Sequence, residues 1–228
     1  MRKFCLFLVL FLIQFNYSFS SDVVSSEDAQ DSGVSACYEL YVEMQLQDEI
    51  SYEAFEQAFW GYNKIKAQNK DVLTLIDFSK PSTEERLYIL DMKEKNILCS
   101  SLVSHGKKSG GNYATSFSNK KGSHKSSLGF YLTGDTYEGR NGYSLVLNGL
   151  ERGINDRARA RSIVVHGATY CDPLEIASSG RIGRSFGCPA VPEEVNQKII
   201  DAIKGGTILF IYANDANYVR KSPVLSSK

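Results

Sequence analysis

Apolar and polar positions divide the chain into a helical segment and a following series of short strands. Between residues 38 and 70, large apolar side chains recur at steps of three and four, the spacing of one helix face. Between residues 71 and 215, short apolar runs are separated by polar turns, as expected for β-strands. The pattern predicts a mainly β domain with a helical segment packed against it. The helix face comprises Tyr52, Phe55, Phe59, Tyr62 and Ile65, interpreted as core contacts, with Ser51 as an N-cap.

Several apolar or alternating runs predict individual strands, mostly in antiparallel pairs. The second and third runs should form a hairpin through a Lys-Glu-Lys-Asn turn. A helix should begin after Pro192 and stop at Gly205, because a proline suits a helix start and a glycine its end. Between the third and fourth runs, residues 104–127 are rich in Gly, Ser, Lys and Asn and predict a long loop. The runs are 72–78, 86–92, 97–103, 128–132, 143–147, 162–165 and 207–212.

The N-terminus has the features of a secretory signal peptide over residues 1–20. Arg2 and Lys3 precede an unbroken apolar run at 4–13, and small residues follow at the expected cleavage position. An uncleaved membrane anchor is the alternative. Residues 21–37 are polar and predict a flexible tail, and a second tail is expected over 216–228.

Composition limits the classes of function. The 228 residues include 26 basic and 26 acidic side chains, so no excess of positive charge favours nucleic acid. About 200 residues beyond the signal peptide suffice for one domain with a full core. Export would place Cys37, Cys99, Cys171 and Cys188 in an oxidising compartment. One disulfide, joining Cys37 or Cys99 to Cys171, and no disulfide at all both remain open.

The main chemical signal is a histidine and a cysteine 22 residues apart. His166 ends the predicted strand at 162–165, and Cys188 follows Gly187 in a turn before a predicted helix. An imidazole beside a thiol can remove its proton and so activate it as a nucleophile. Gly187 would let nearby amides turn toward an oxyanion, and Gly167 would let the chain turn away from the site. The pair therefore predicts a cysteine acyltransferase.

These residues allow two other interpretations. A buried, inert cysteine is common, but it would not account for the adjacent polar residues or for the histidine. His105 and His124 could join the pair as zinc ligands, yet the chain has none of the usual ligand spacings, so no metal and no cofactor are expected. The lysine pairs at 107–108 and 120–121 are either solvated charges or an attraction for an anionic polymer.

Ordered motifs resemble the L,D-transpeptidases of the YkuD-like fold, closest to the murein L,D-transpeptidase catalytic domain branch. The central motif is a His-Gly followed by Ser-x-Gly-Cys. The resemblance extends from about residue 50 to 213. Its segments are Ser104-His105-Gly106-Lys107, Phe117-Ser118-Asn119, Lys125-Ser126-Ser127-Leu128-Gly129, Asn148-Gly149-Leu150-Glu151, Val165-His166-Gly167-Ala168 and 183–191.

The resemblance implies a β-sandwich or barrel-like catalytic domain that acts on the peptide stems of peptidoglycan. Cys188 would attack the L,D peptide bond, His166 would move the proton, and the Gly187 and Cys188 amides would hold the oxyanion. The acyl group would then pass to an amine on a second stem. The substrate pocket would be lined by Arg184, Ser185 and Tyr170.

The chain departs from the family pattern after the nucleophile. Better-known members carry an arginine two residues beyond the cysteine, where this chain has Ala190. Arg184 or Arg181 would have to bind the substrate carboxylate instead. Two alternatives to transpeptidation remain open: a carboxypeptidase or crosslink hydrolase with the same site, and a non-catalytic wall-binding domain. We expect an exported monomer, in the periplasm or cell wall, with peptidoglycan as its partner.

Overall fold

The computed structural model describes residues 26–226, with side chains from residue 35 onward. The predicted signal peptide lies outside these residues. The helices are α1 Ser26–Glu43, α2 Tyr52–Lys64, α3 Leu174–Ser179, α4 Glu193–Ile203 and α5 Ala216–Lys221. The strands are β1 Val72–Asp77, β2 Leu87–Asp91, β3 Asn96–Ser101, β4 Gly129–Gly139, β5 Gly142–Gly149, β6 Val164–Gly167, β7 Ala190–Val191 and β8 Ile208–Tyr212.

The strands of the described chain form one mixed sheet in the order β3-β2-β1-β8-β4-β5-β6-β7. Pairing is antiparallel except between β1 and β8 and between β6 and β7. Helix α4 packs across the sheet and contacts β1, β2, β5 and β6. It buries Ile199, Ile200 and Ile203, while polar residues cover its outer face. The mainly β fold with helices at these places is confirmed.

The N-terminal region is more ordered than the sequence pattern indicated. The tail expected over 21–37 is helical from Ser26 onward, and the helical segment expected over 38–70 is two helices with a break between them. Cys37 and Tyr41 are buried on one side of the last turns of α1, so this part of the helix packs against the core. Ser51 caps α2 by accepting a hydrogen bond from the Ala54 amide, as predicted.

The C-terminal tail expected over 216–228 is also partly helical. Asp215 caps the N-terminus of α5, and its carboxylate accepts hydrogen bonds from the amides of Asn217 and Tyr218. The buried Glu151 carboxylate accepts hydrogen bonds from the hydroxyls of Tyr218 and Ser222. Contacts between residues about 70 positions apart in the sequence therefore hold this helix in place. Local periodicity does not reveal such contacts.

The strand runs were placed correctly, with differences at their ends. The predicted hairpin is β2–β3, and β4 and β5 extend well beyond the apolar runs to form a longer hairpin. Strand β7 and helix α3 were not predicted. Cys99 and Cys171 carry free thiols, so neither disulfide considered from the sequence forms. In residues 26–226, no helix combines the length and apolarity needed to cross a membrane.

Candidate active site

The parallel pairing of β6 with β7 brings the histidine and the cysteine to one place. His166 is in register with Ala190, and Gly167 with Val191. Cys188 lies two residues before Ala190, at the entrance to β7. Both side chains line one cleft with a volume of about 660 Å³. A two-residue strand thus joins the two halves of the predicted site.

Cys188 is half-buried and lines this cleft. Its Sγ lies 3.6 Å from the carbonyl oxygen of Ser162, toward which the thiol can donate. Burial raises the pKa of the Cys188 thiol, whereas the Val164 amide and the charge of Arg161 lower it. The free protein therefore holds Cys188 mainly as the neutral thiol at neutral pH, so that the thiol needs a base.

His166 is 5% exposed and its tautomer follows from one hydrogen bond. Its Nδ1 lies 2.8 Å from the carbonyl oxygen of Gly167. Because a carbonyl only accepts, Nδ1 carries the hydrogen, and Nε2 keeps the lone pair that a base needs. Burial lowers the pKa of His166, and the Gly167 carbonyl only partly opposes this shift. The imidazole is therefore neutral and competent as a base at neutral pH.

Ser185 shapes the turn that carries the cysteine. Its hydroxyl donates to the Cys188 carbonyl at 2.6 Å and accepts from the Gly187 amide at 3.0 Å. Gly187 has a φ of +130°, a conformation that only glycine adopts without strain. The Gly187 amide is thus engaged by Ser185 in the free protein, and its role in an oxyanion hole stays a prediction. The Ser185 hydroxyl is likewise occupied within the turn.

Gly167 has a different role from the turn expected of it. Its φ is not positive, and the chain continues from β6 without a left-handed residue there. A Cβ at this position would lie 3.1 Å from Asn196 and 3.3 Å from Glu193. The glycine therefore allows the start of α4 to pack closely on the strand that carries His166.

The predicted substrate-binding residues Arg184, Ser185 and Tyr170 all line the cleft. The Arg184 guanidinium donates to the carbonyl of Gly110 at 2.7 Å, so it is held at the cleft wall. Arg181, the other candidate for the carboxylate, does not line the cleft and donates to the Ile182 carbonyl. The sequence reasoning missed Arg140, which is exposed at the β4–β5 turn and lines the same cleft.

The long loop at 104–127 supports the cysteine turn. His105 O accepts from the Ser185 amide at 3.0 Å, and Ser185 O accepts from the Lys107 amide at 2.8 Å. Ser126 Oγ accepts from the Gly106 amide and donates to Gly187 O. The length and the Gly/Ser content of this loop marked it as functional, but its contacts were not predictable.

Two histidines considered as metal ligands serve other purposes. His105 is fully buried, and its Nδ1 accepts from the Arg86 guanidinium at 2.9 Å. His124 packs on the Phe186 ring, with 4.6 Å between centroids, and Phe186 is 63% exposed at the cleft rim. Among the described residues, no group of three or more His, Cys, Asp or Glu side chains is placed to hold a metal ion.

Comparison with known proteins identifies the family. The family model described as L,D-transpeptidase catalytic domain matches residues 46–212, nearly three-quarters of the chain. The chain therefore belongs to the L,D-transpeptidase catalytic domain family, a family of enzymes. A search of curated proteins found no significant match.

Several solved structures are similar to this chain. An L,D-transpeptidase from Mycobacterium smegmatis is 14% identical, with a TM-score of 0.38, and the match covers 63% of this chain and 59% of that one. The helical cell shape determining protein Pgp2 from Campylobacter jejuni is 14% identical, with a TM-score of 0.43 and coverage of 70% and 55%. An L,D-transpeptidase from Stackebrandtia nassauensis is 12% identical, with a TM-score of 0.38 and coverage of 81% and 79%. The chain thus spans less than two thirds of the length of the first two.

Proposed function

We propose that this protein is an exported cysteine acyltransferase that performs L,D-transpeptidation on peptidoglycan stems. The observation that carries the proposal is the β6–β7 pairing, which sets Cys188 and a neutral His166 in one open cleft. Membership of the L,D-transpeptidase catalytic domain family supports this reaction over other thiol chemistries. A free thiol at Cys188 disfavours the alternative of a wall-binding domain with an oxidised cysteine.

The first half-reaction forms a thioester. His166 Nε2 takes the proton of the Cys188 thiol as Sγ attacks the carbonyl carbon of the L,D peptide bond. The Cys188 amide stabilises the oxyanion, joined by the Gly187 amide if Ser185 releases it. The tetrahedral intermediate collapses with cleavage of the C–N bond. The imidazolium then gives its proton to the departing amine of the terminal D-amino acid.

The second half-reaction transfers the acyl group. An amine of another stem attacks the thioester carbonyl while His166 Nε2 takes its proton. The C–S bond breaks and Cys188 leaves as a thiolate that regains the proton from His166, which yields a 3→3 crosslink. Water as the acceptor would instead give a trimmed stem, the carboxypeptidase or hydrolase alternative. The arginines at the cleft wall and mouth, Arg184 and Arg140, would bind the stem carboxylates in place of an arginine after the nucleophile.

Acylation of the folded protein tests the nucleophile. Incubation with a carbapenem or a tetrapeptide stem should add the mass of one acyl group to the protein, located at Cys188 by peptide mass spectrometry. Cys188→Ala should gain no mass, and Cys99→Ala, which removes another free thiol, should react as the wild type. A folded wild-type protein that forms no adduct would refute the proposal.

Product analysis identifies the acyl acceptor. With two stem peptides as substrates, a ligated dimer indicates transfer, and trimmed stems alone indicate hydrolysis.

Export predicts that the protein purified from cell envelopes lacks residues 1–20, which N-terminal peptide mass spectrometry detects. Recovery of the full chain from the cytoplasm would contradict export.

A further inference from the structure

Arg161 is a half-buried arginine behind the cysteine turn, at the end of the short 3-10 turn that precedes β6. Its Nη1 donates to Ser118 O at 2.8 Å and to Ser127 Oγ at 3.2 Å. Its Nη2 donates to Lys125 O at 2.6 Å. The guanidinium therefore has one fixed position, between the strand that carries the histidine and the loop that supports the cysteine.

The partners of this guanidinium are all neutral. They are two carbonyls and hydroxyls, and within residues 35–226 Arg161 has no carboxylate at ion-pairing distance. A guanidinium stays protonated in proteins, so its positive charge is not neutralised by the fold. A half-buried charge without a counter-ion costs free energy, which a nearby anion would recover.

The group placed to become that anion is the Cys188 thiol. A Cβ added to Gly187, the residue before the cysteine, would lie 3.1 Å from Arg161 Nη2. The thiol itself approaches the carbonyl of Ser162, the residue that follows Arg161. The arginine and the cysteine therefore lie on neighbouring backbone segments in van der Waals contact. The guanidinium also lowers the pKa of the thiol against the effect of burial.

We propose that Arg161 is a positioning residue that stabilises the Cys188 thiolate by its charge and holds the 116–127 loop against the cysteine turn. This inference rests on the proposed function, in which Cys188 is the nucleophile. It assigns the thiolate a cationic neighbour from outside the Ser-x-Gly-Cys motif. The other titratable side chains that line the cleft are His166, Tyr170, Arg140, Arg184 and Glu193.

The test measures the thiol pKa from the pH dependence of Cys188 alkylation by iodoacetamide, followed by peptide mass spectrometry. Arg161→Gln keeps hydrogen-bond donors but removes the charge, and should raise the thiol pKa by about one unit, with alkylation about tenfold slower at pH 7. Arg161→Lys keeps the charge and should retain most of the wild-type pKa. Arg159→Gln is the matched control, because Arg159 lies exposed on the same turn and bonds to Asn148.

A wild-type pH profile in folded Arg161→Gln would overturn the proposal. An equal loss of reactivity in the Gln and Lys variants without a shift in thiol pKa would also overturn it, since that result indicates a structural role alone. If Arg161→Gln does not fold, Arg161→Met provides the same neutral comparison.

Alkylation requires no wall substrate, so the two proposals can fail independently. A raised thiol pKa in the neutral variants together with a wild type that no carbapenem acylates would refute the proposed function and leave the role of Arg161 intact. Acylation of the wild type with an unchanged thiol pKa in the variants would refute only the inference about Arg161.

Discussion

Burial acts on the two reacting side chains in opposite directions. It lowers the pKa of His166 and raises that of the Cys188 thiol, so both groups are neutral in the free enzyme near pH 7. A preformed thiolate–imidazolium pair is therefore disfavoured. In the proposed reaction, the thiol would lose its proton to Nε2 as the substrate carbonyl arrives, and the positive charge of Arg161 would stabilise the thiolate that forms.

The pH dependence of acylation follows from this arrangement. Only neutral His166 can accept the proton, and its pKa lies below the usual 6.5. The rate of acylation should thus fall toward acid pH with a midpoint below 6.5. His166→Gln should slow acylation by about 10²–10⁴-fold and abolish that acid limb.

Stopped-flow or mass-spectrometric acylation rates from pH 4 to 8 measure this profile. His124→Gln serves as the control and should keep the wild-type midpoint. A midpoint above 6.5 in the wild type, or an unchanged acid limb in His166→Gln, would contradict the assignment of the base.

At the scale of elements, one buried carboxylate joins segments that are distant in the sequence. The buried Glu151 carboxylate, in the loop after β5, accepts from the Phe130 amide at 2.7 Å and from the Tyr218 hydroxyl at 3.1 Å. It also accepts from the Ser222 hydroxyl at the end of α5. One carboxylate thus joins β4, the β5–β6 connection and the C-terminal helix.

Glu151→Ala should destabilise the protein by about 3 kcal/mol, because three buried donors would lose their acceptor. Urea denaturation measures the change in the free energy of unfolding, and limited proteolysis should cut the C-terminal segment sooner. Glu138→Ala, an exposed glutamate on β4, is the control and should change stability by less than about 0.5 kcal/mol. A loss below about 1 kcal/mol for Glu151→Ala would contradict this role.

At the scale of the whole molecule, a buried cation and a buried histidine link the β2–β3 edge of the sheet to the 104–127 loop that supports the cysteine turn. Arg86 precedes β2 and donates twice to Val103 O, at 3.0 and 2.8 Å, and once to His105 Nδ1. Burial and the charge of Arg86 lower the pKa of His105 to about 4. The folded protein therefore resists protonation of a histidine that the unfolded chain protonates near pH 6.5.

The stability of the protein should consequently depend on pH in a defined window. The contribution of His105 to the free energy of unfolding is complete above pH 6.5. It decreases as the pH falls, because only the unfolded chain binds the proton, and it is lost at about pH 4. The difference between the two pKa values corresponds to about 3 kcal/mol. In His105→Gln, the loss of stability between pH 7 and pH 4 should be smaller than in the wild type by about that amount.

Urea denaturation at pH 7 and pH 4 measures the free energy of unfolding of each protein. The difference between the two pH values cancels any packing cost of the substitution that is the same at both. His124→Gln is the comparison: burial and the charges of Lys107 and Lys108 lower the pKa of His124 as well, so this variant should also lose less stability than the wild type, but by a smaller margin than His105→Gln, because His105 is fully buried. An equal loss in His105→Gln would show that His105 does not set the acid sensitivity.

Particular elements show how much of the fold the sequence alone predicts. The α2 face, its Ser51 cap, the β2–β3 hairpin and helix α4 follow from local periodicity and capping, and all are present. Helix α1, α3, α5 and strand β7 were missed or misjudged. Helices α1 and α5 depend on burial against distant residues, and β7 has only two residues and exists because β6 lies beside it.

The sequence by itself determined which chemical groups are available: one thiol in a Gly-containing turn, one histidine at a strand end, and the order of strands and helices around them. Only the tertiary structure decided that Ser185 occupies the Gly187 amide and that Arg161 stands behind the cysteine. Local patterns encode the dihedral preferences and amphipathic faces of neighbouring residues. Contacts between segments tens of residues apart depend on the packing of the complete chain, which no short pattern contains.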